Sequence, residues 1–175
     1  MGHGSSPSAP RSVAAARDAR VGFEPPRGVS RIDVERGYAY IMIPTEGRPR
    51  ELWRVFRPLS RASVSVDTVK LHDHSLQFSL AEGELDAALR ILDELGTPYH
   101  VTPDCAVLTV YAPDMRSIPG VMATIVSGLH EAGVALLATD DSYNSVYCII
   151  PGAQAAQACA ALAERFGLDA VSERV

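Results

Sequence analysis

The sequence has 175 residues, of which 47% are hydrophobic and 21% are charged, and its formal net charge is -5. This composition supports one large or two small folded domains and lies far from that of a disordered chain. No apolar run approaches the roughly 20 residues of a membrane span, and the negative charge argues against a general nucleic-acid binder. We therefore expect no nucleic-acid partner, no membrane partner and, without an apolar signal-peptide core at the amino terminus, a cytoplasmic location.

Residues 1–27 are expected to form a disordered tail. Glycine, serine and proline crowd the start of this segment and cannot build a core, and Pro25-Pro26 closes it. A helix between Val13 and Ala19 would be too short to be stable alone.

A strand and a helix are predicted next. A weak strand candidate covers residues 28–35, Gly37 marks a turn, and residues 38–43 form a stronger strand rich in aromatic and β-branched side chains. After a loop, Pro49 suits the first turn of a helix. The apolar residues of this helix recur at helical spacing: Leu52, Val55, Phe56 and Leu59.

A hairpin and a second helix complete the first half of the chain. Alternating residues in 64–70 and 76–80 predict the two strands of the hairpin, with its turn at His72-Asp73-His74. Residues 82–95 predict an amphipathic helix, and a glycine after it fits the C-terminal cap. Residues 99–102 form a short strand or linker.

The same order then repeats about 70 residues later. Residues 105–111 predict a strand, 117–132 a helix, 134–139 and 145–150 the strands of a hairpin, and 153–166 a final helix. This repeat of two βαββα halves is enough to predict the fold without any motif.

Two such halves predict an α+β protein made of two ferredoxin-like βαββα units, with antiparallel sheets and helices on one face. The first unit is expected to cover residues 28–103 and the second residues 104–175. Each half lacks one strand of the complete sandwich. Residues 28–35 and 99–102 could supply these strands by exchange, so 28–35 could belong to the second unit.

The turn from Asp114 to Val121, between a strand and a helix, is the best candidate for a binding site. The first backbone amides of a helix have no partner within it, and such a terminus suits a small carboxylate. The helix dipole adds about 0.3–1 kcal/mol at such a position. Asp114, Asp140 or Asp141 could take the ammonium group of the same ligand. An ordinary βα turn without a ligand explains the same residues.

Patterns for catalysis or metal binding are weak. His72 and His74 could share a metal ion, but no third ligand stands at useful spacing, and a hairpin turn accounts for both. The serines form no Gly-x-Ser-x-Gly elbow, and the glycines form no Walker-type phosphate loop. We predict no catalytic residue, no metal site and no cofactor, and keep a metal-dependent enzyme as a remote alternative.

Five arginines between Arg48 and Arg61 give the first helix and its entry a basic face. They form either a solvated surface or a contact for an acidic partner. Trp53 on the same helix is either a core residue or an interface anchor. The three cysteines are widely spaced, form no zinc or redox pattern, and are interpreted as reduced core residues.

The paired units resemble ACT domains, the small-molecule sensing modules of amino-acid metabolism, and more closely the tandem pair at the C-terminal end of monofunctional aspartokinases. Residues 28–32 are similar to the entry strand of that region, and 64–69 and 76–80 to two strands of its first unit. Met115-Arg116-Ser117-Ile118-Pro119-Gly120-Val121 is similar to the effector loop of its second unit. Further similarity lies in Asp141-Ser142-Tyr143-Asn144-Ser145-Val146-Tyr147 and in Phe166-Gly167-Leu168-Asp169.

The resemblance implies binding of an amino acid of the aspartate pathway, which is lysine, threonine or diaminopimelate. The turn Asp140-Asp141-Ser142 favours the aspartokinases that sense diaminopimelate. The implied effector-binding residues are Asp114, Met115, Arg116, Ser117, Ile118, Pro119, Gly120, Val121, Thr139, Asp140, Asp141 and Ser142. A second site is implied at Thr45, Glu46, Gly47, Arg48, Pro49, Arg50 and Asp67. There the usual Asp-x-Pro-Gly turn is replaced, so the second site is either lost or adapted to a more acidic ligand.

The resemblance further implies an allosteric regulatory module. It implies a homodimer through the ACT sheets, whose edge strands invite association, and an aspartokinase catalytic subunit as a partner. Nothing in the sequence corresponds to the aspartokinase catalytic domain, so no enzyme activity is expected. The alternative is a dimerisation or interaction protein that keeps the ACT scaffold and has lost the ligand.

Overall fold

The computed structural model describes residue 1 and residues 28–113, 115, 118–169 and 172–174. The predicted tail at residues 2–27 lies outside the described residues, as do Asp114, Arg116 and Ser117 of the predicted site. The described elements are β1 (Arg31–Pro44), α1 (Pro49–Arg61), β2 (Val69–His72), β3 (Ser75–Ala81), α2 (Leu85–Glu94), β4 (His100–Tyr111), α3 (Val121–Glu131), β5 (Ala138–Asp141), β6 (Ser145–Pro151), α4 (Ala155–Phe166) and β7 (Ser172–Arg174).

One sheet runs through both halves of the chain. Its strands follow the order β2-β3-β1-β4-β6-β5 with antiparallel neighbours, and β7 pairs in parallel with β1. We call the second part of β1 with α1, β2, β3 and α2 unit 1. We call the second part of β4 with α3, β5, β6 and α4 unit 2. The fold is the predicted α+β arrangement of two βαββα units.

Each unit receives one strand from the other. Residues 31–36, at the start of β1, pair with residues 106–111 of unit 2. Residues 100–102, at the start of β4, pair with residues 40–42 of unit 1. The long central strands β1 and β4 therefore belong to both units at once.

The prediction of a turn at Gly37 was wrong, because this residue lies inside β1. Its φ is +80°, and the pairing of β1 with β4 shifts register between Arg36 and Tyr38. A second shift lies between Tyr38 and Tyr40, beside Asp104 at φ +50° on β4. Such bulges bend a strand without ending it. Side chains alternate between the two faces of the sheet, and each register shift moves this alternation by one residue. Apolar residues on both sides of the bend therefore pack against helices.

Each unit has its own core between the sheet and two helices, and a smaller cluster lies at the bend. This cluster contains Tyr40, Cys105 and Ile149, whose strand neighbours belong to the two main cores. Among the described helices, none is long and apolar enough to cross a bilayer. The largest fully buried side chains include Ile41, Leu59, Phe78 and Leu92 in unit 1, and Leu108, Ile125 and Leu129 in unit 2.

All three cysteines are buried and form no disulfide with one another. Burial raises the pKa of the Cys105 thiol to about 11 and that of the Cys148 thiol to about 12. A thiol held in its neutral form is a weak nucleophile, so these residues behave as apolar core side chains.

The first hairpin strand of each unit begins later than predicted. The backbone amide of Val64 donates to the carbonyl of Leu59 at 3.0 Å, and that of Val134 donates to Leu129 at 2.9 Å. These bonds close the C-terminal ends of α1 and α3. Both valines are buried, which explains why their apolar character was taken for the start of a strand.

The sheet is strongly curled. Strands β2 and β5 stand at opposite ends of the strand order, yet Lys70 Nζ on β2 lies 3.0 Å from Asp140 Oδ1 on β5. The twist of the strands and the two bulges bring these edges together. An ion pair therefore joins unit 1 directly to unit 2.

The substitution Gly152→Ala is expected to lower the free energy of unfolding by about 1–3 kcal/mol, the usual cost of overpacking. A Cβ atom at Gly152 would lie 2.9 Å from the backbone oxygen of Asp104 and 2.5 Å from its Oδ1. The backbone of Asp104 belongs to the β4 bulge and cannot move without disturbing the bend. Urea denaturation measures the change.

The matched control is Gly83→Ala in the 3₁₀ turn before α2, where an added Cβ meets nothing within 4 Å. We expect this variant to unfold near the wild-type midpoint. Equal midpoints for the two variants would show that the contact with Asp104 does not constrain the bend.

Candidate functional site

Each unit has a cavity beside the loop that connects its central strand to its first helix. The cavity of unit 1 has a volume of about 610 Å³, and Thr45 and His74 are among its lining residues. The cavity of unit 2 has a volume of about 370 Å³ and is lined in part by Ser30, Tyr111 and Asn144. Because the two positions correspond in the duplicated fold, the loops can be compared directly.

The described part of the unit 2 loop is tied to its own core. The side chains of Met115 and Ile118 pack against the buried cluster of unit 2. The Met115 amide donates to Ala112 at 3.0 Å, and the Ile118 amide donates to Met115 at 3.1 Å. The amide of Ile118, one of those predicted to face a ligand, is therefore used within the loop.

The end of this loop is the N-terminus of α3. Gly120 is the N-cap at φ +88°, Val121 is buried behind it, and Pro119 is exposed. The first amides of a helix lack acceptors within the helix. Among the described residues, nothing lies within 4 Å of a Cβ added at Gly120, so they leave the space beside this N-cap open. The geometry leaves room for a carboxylate at this point.

The predicted residues of the unit 2 hairpin divide between the two faces of the sheet. Thr139 stands opposite the core residue Cys148, and the next residue, Asp140, faces the other way and is held by Lys70. Asp141 is exposed. The hydroxyl of Ser142 lies 2.7 Å from that of Ser145. Asp140 therefore already has an ammonium partner, whereas Asp141 is open to solvent.

The unit 1 loop is closed by a carboxylate of the chain itself. Glu51, on the first turn of α1, accepts hydrogen bonds from the hydroxyl of Thr45 and, at 3.0 Å, from the amide of Glu46. The Gly47 amide donates to the Thr45 hydroxyl at 3.2 Å. The hydrogen bond from Thr45 is the main cause that lowers the pKa of Glu51. Glu51 was not among the site residues predicted from the sequence.

The other residues of the predicted second site have different surroundings. Pro49 begins α1, Arg48 is its N-cap and pairs with Glu46, and Arg50 is exposed. Asp67 does not line the unit 1 cavity, and its amide donates to Ser79 at 2.8 Å. Burial, together with nearby carboxylates, raises the pKa of Asp67.

Two further candidates from the sequence are placed by the structure. His72 ends β2 and His74 lies in the β2–β3 turn, and no group of three or more possible metal ligands occurs among the described residues. Trp53 is 62% exposed and lies beside Arg57, whose guanidinium is 5.6 Å from the ring centre. It is therefore not a core residue.

Ser30, Arg31 and Asn144 line the unit 2 cavity but were not among the site residues predicted from the sequence. The guanidinium of Arg31 lies 4.0 Å from the ring centre of Tyr111. The repeat could have indicated this position, because residues 28–30 precede the strand given to unit 2 as residues 96–99 precede the strand given to unit 1.

Comparison with known proteins places the second half of the chain in a family. Residues 100–164 match the family model described as "ACT domain". This segment is an ACT domain. The chain is also 30% identical over 114 residues to "Aspartokinase 1" of Bacillus subtilis, a match that covers 65% of this chain and 28% of the relative. The chain thus spans about 28% of the length of that curated relative.

Solved structures share the paired ACT fold. The regulatory subunit of aspartate kinase from Thermus flavus superposes with a TM-score of 0.74 at 20% identity, covering 80% of this chain and 99% of that one. Aspartokinase III of E. coli, in complex with lysine and aspartate, superposes with a TM-score of 0.67 at 20% identity, covering 82% of this chain and 34% of that one. The tandem ACT arrangement therefore resembles the regulatory region of aspartokinases.

Proposed function

We propose that the chain is an allosteric regulatory module that binds an amino acid of the aspartate pathway and controls an aspartokinase. The observation that carries this proposal is the helix N-terminus at Gly120, which has no side-chain cap and follows a loop whose Pro113 lines a cavity of about 370 Å³, in a tandem ACT fold. A helix N-terminus favours a carboxylate through its unpaired amides and its dipole.

The effector is expected to place its α-carboxylate at the start of α3. Its ammonium group then needs a nearby acid. Asp141 suits this role better than Asp140, because Asp140 is already paired with Lys70. Asp114, Arg116 and Ser117, outside the described residues, remain proposed members of the same site. Lysine is one candidate, since the related E. coli structure contains it, and threonine and diaminopimelate are the others.

A homodimer through the sheet edges is part of the proposal. Strand β2 has β3 on one side and no neighbour on the other among the described strands, and Val69 and Leu71 on it are exposed. Trp53 is exposed on the adjacent helix. Unit 2 exposes Met122 and Val126 on α3. Paired edges would cover these apolar groups and satisfy open backbone groups.

Charge favours pairing of unit 1 with unit 2 of the partner chain. The exposed surface of α1 carries Arg50, Arg54, Arg57 and Arg61, so two α1 helices side by side would bring like charges together. Helix α3 carries no arginine or lysine. At the repeat offset of about 70 residues, Ala123 on α3 corresponds to Trp53 on α1. The small side chain of Ala123 leaves space for the indole of the partner chain.

An aspartokinase catalytic domain is the proposed target of regulation, with the chain itself non-catalytic. The resemblance to a separate regulatory subunit supports a contact between chains. Effector binding would bias two arrangements of the assembly, and a coupling of about 1–3 kcal/mol changes activity or affinity by roughly 5- to 150-fold.

Calorimetry with lysine, threonine, methionine and diaminopimelate tests the effector proposal. We expect one of them to bind saturably, and the amides near Gly120 to respond in NMR spectra. If all four amino acids give no heat and no shift, the proposal of an aspartate-pathway effector is wrong.

A second candidate function is a dimerisation module without a ligand. The closed loop of unit 1, with Glu51 bound to Thr45 and Glu46, favours it. In that case the chain would dimerise in sedimentation experiments, and none of the four amino acids would alter the dimer.

A further inference from the structure

We propose that Glu51 is a tethered carboxylate that keeps the unit 1 loop occupied, so that each chain takes one effector, at unit 2, and not two. The proposal deepens the proposed function and rests on it for the role of unit 2. The role of Glu51 concerns only the unit 1 loop, for which the resemblance to tandem ACT domains implied a second site.

The contacts of Glu51 are those expected of a ligand carboxylate. One oxygen, Oε2, accepts hydrogen bonds from a side-chain hydroxyl, that of Thr45, and from a backbone amide, that of Glu46. The Thr45 hydroxyl also accepts from the amide of Gly47. The Thr45 hydroxyl and the amides of Glu46 and Gly47 are thus already connected to one negative charge of the chain itself.

The hydrogen bonds of Glu51 reach residues earlier in the chain than those of an ordinary helix cap do. In a capping box, a glutamate three residues into the helix binds the amide of the N-cap residue. Here the N-cap is Arg48, but Glu51 reaches past it to Glu46 and Thr45. Glu51 therefore closes the whole loop between β1 and α1, where the chain would approach a ligand.

Because the fold is duplicated, the position of Glu51 in unit 1 can be compared with the corresponding position in unit 2. The buried residues Val55 and Leu59 of α1 correspond to Ile125 and Leu129 of α3 at one constant offset. The residue of unit 2 that corresponds to Glu51 is Val121. Because Val121 is apolar and buried, unit 2 has no carboxylate at this helix position.

The cavity of unit 1 is larger than that of unit 2, but it is not an open anion site. Its volume is about 610 Å³, against about 370 Å³ in unit 2, but Glu46 and Glu51 both line it. A group held on the chain acts at an effective concentration of the order of millimolar or more. A free amino acid would have to displace Glu51 and would meet its negative charge.

NMR titration with acetate tests the assignment without knowledge of the natural effector. In Glu51→Ala we expect the Glu46 amide to shift saturably with acetate. In the wild-type chain we expect the same amide to respond at least about tenfold more weakly, because the tethered group competes. Glu51→Gln, which keeps the size and one acceptor, should fall between them and serves if the alanine variant does not fold.

Glu94→Ala is the matched control, since Glu94 is an exposed helix glutamate that does not line the cavity. It should behave as the wild type does. The proposal is wrong if acetate shifts the Glu46 amide of the wild type as readily as that of Glu51→Ala. It is equally wrong if the amide responds in no variant, because removal of Glu51 would then have opened nothing.

The proposed function fails by a different result. If the four amino acids leave the region of Gly120 unchanged while acetate reaches the Glu51→Ala loop, unit 2 is not the effector site and the role of Glu51 stands. If a wild-type chain binds two amino acids, one of which shifts Glu46, unit 2 stands and the role of Glu51 is overturned.

Discussion

Ala123→Arg is expected to weaken self-association at least about tenfold relative to Ala123→Glu, because like charges brought together at an interface oppose binding. In the proposed dimer, α3 lies against α1 of the partner, whose exposed surface carries four arginines. Arginine at Ala123 would add a fifth positive charge, whereas glutamate would offer them a counter-charge. Both residues are good helix formers, and Ala123 is exposed, so folding should be unaffected.

Sedimentation equilibrium at low salt measures the two dissociation constants, and added salt should reduce their difference. Arg90→Glu on the exposed surface of α2 is the control for a change in net charge alone. If the two Ala123 variants associate equally, α3 does not face the arginines of α1, and the pairing of unit 1 with unit 2 is wrong.

Gly120→Ala is expected to lower the affinity for the effector at least tenfold, a loss of about 1.4 kcal/mol or more. The φ of Gly120 is +88°, and a residue with a Cβ in the left-handed region costs roughly 1–2 kcal/mol. The loop can relieve this strain only by turning the first amides of α3 away from their present directions. Calorimetry with the amino acid that binds the wild type measures the loss.

Gly133→Ala is the matched control for strain. Gly133 lies just beyond the other end of α3, at φ +69°, and an added Cβ meets nothing there within 4 Å, as at Gly120. Both variants should lose similar free energy of unfolding, but only Gly120→Ala should lose effector binding. Equal affinities for the two variants would show that the N-terminus of α3 does not hold the ligand.

Much of the fold could be predicted because the pattern of apolar residues reports local structure. The repeat of strands and helices identified the two βαββα units and their helices. The errors arose where a residue's role depends on its backbone hydrogen bonds and not on its side-chain type. Val64 and Val134 look like strand residues but close helix ends, and Gly37 looks like a turn residue but forms a bulge, because β4 continues to pair with β1 on both sides of it.

The candidate site was predictable in part for the same reason. The strand, turn and helix around Gly120 form a local pattern, and its open N-cap follows from that pattern. The contact that decides which acid is available joins residues far apart in the sequence. Lys70 holds Asp140 across the two sheet edges, and spacing alone gives no indication of such a pair. Glu51 was within reach of prediction, since it lies six residues from Thr45.

The two strands shared by both units mean that neither unit is a separable module. A fragment ending near residue 103 would retain residues 31–36 without the β4 residues that pair with them. It would expose Ile32 and Val34, now buried, on an open strand prone to aggregation. Fusions, truncations and swaps of this chain should therefore treat residues 28–169 as one indivisible block.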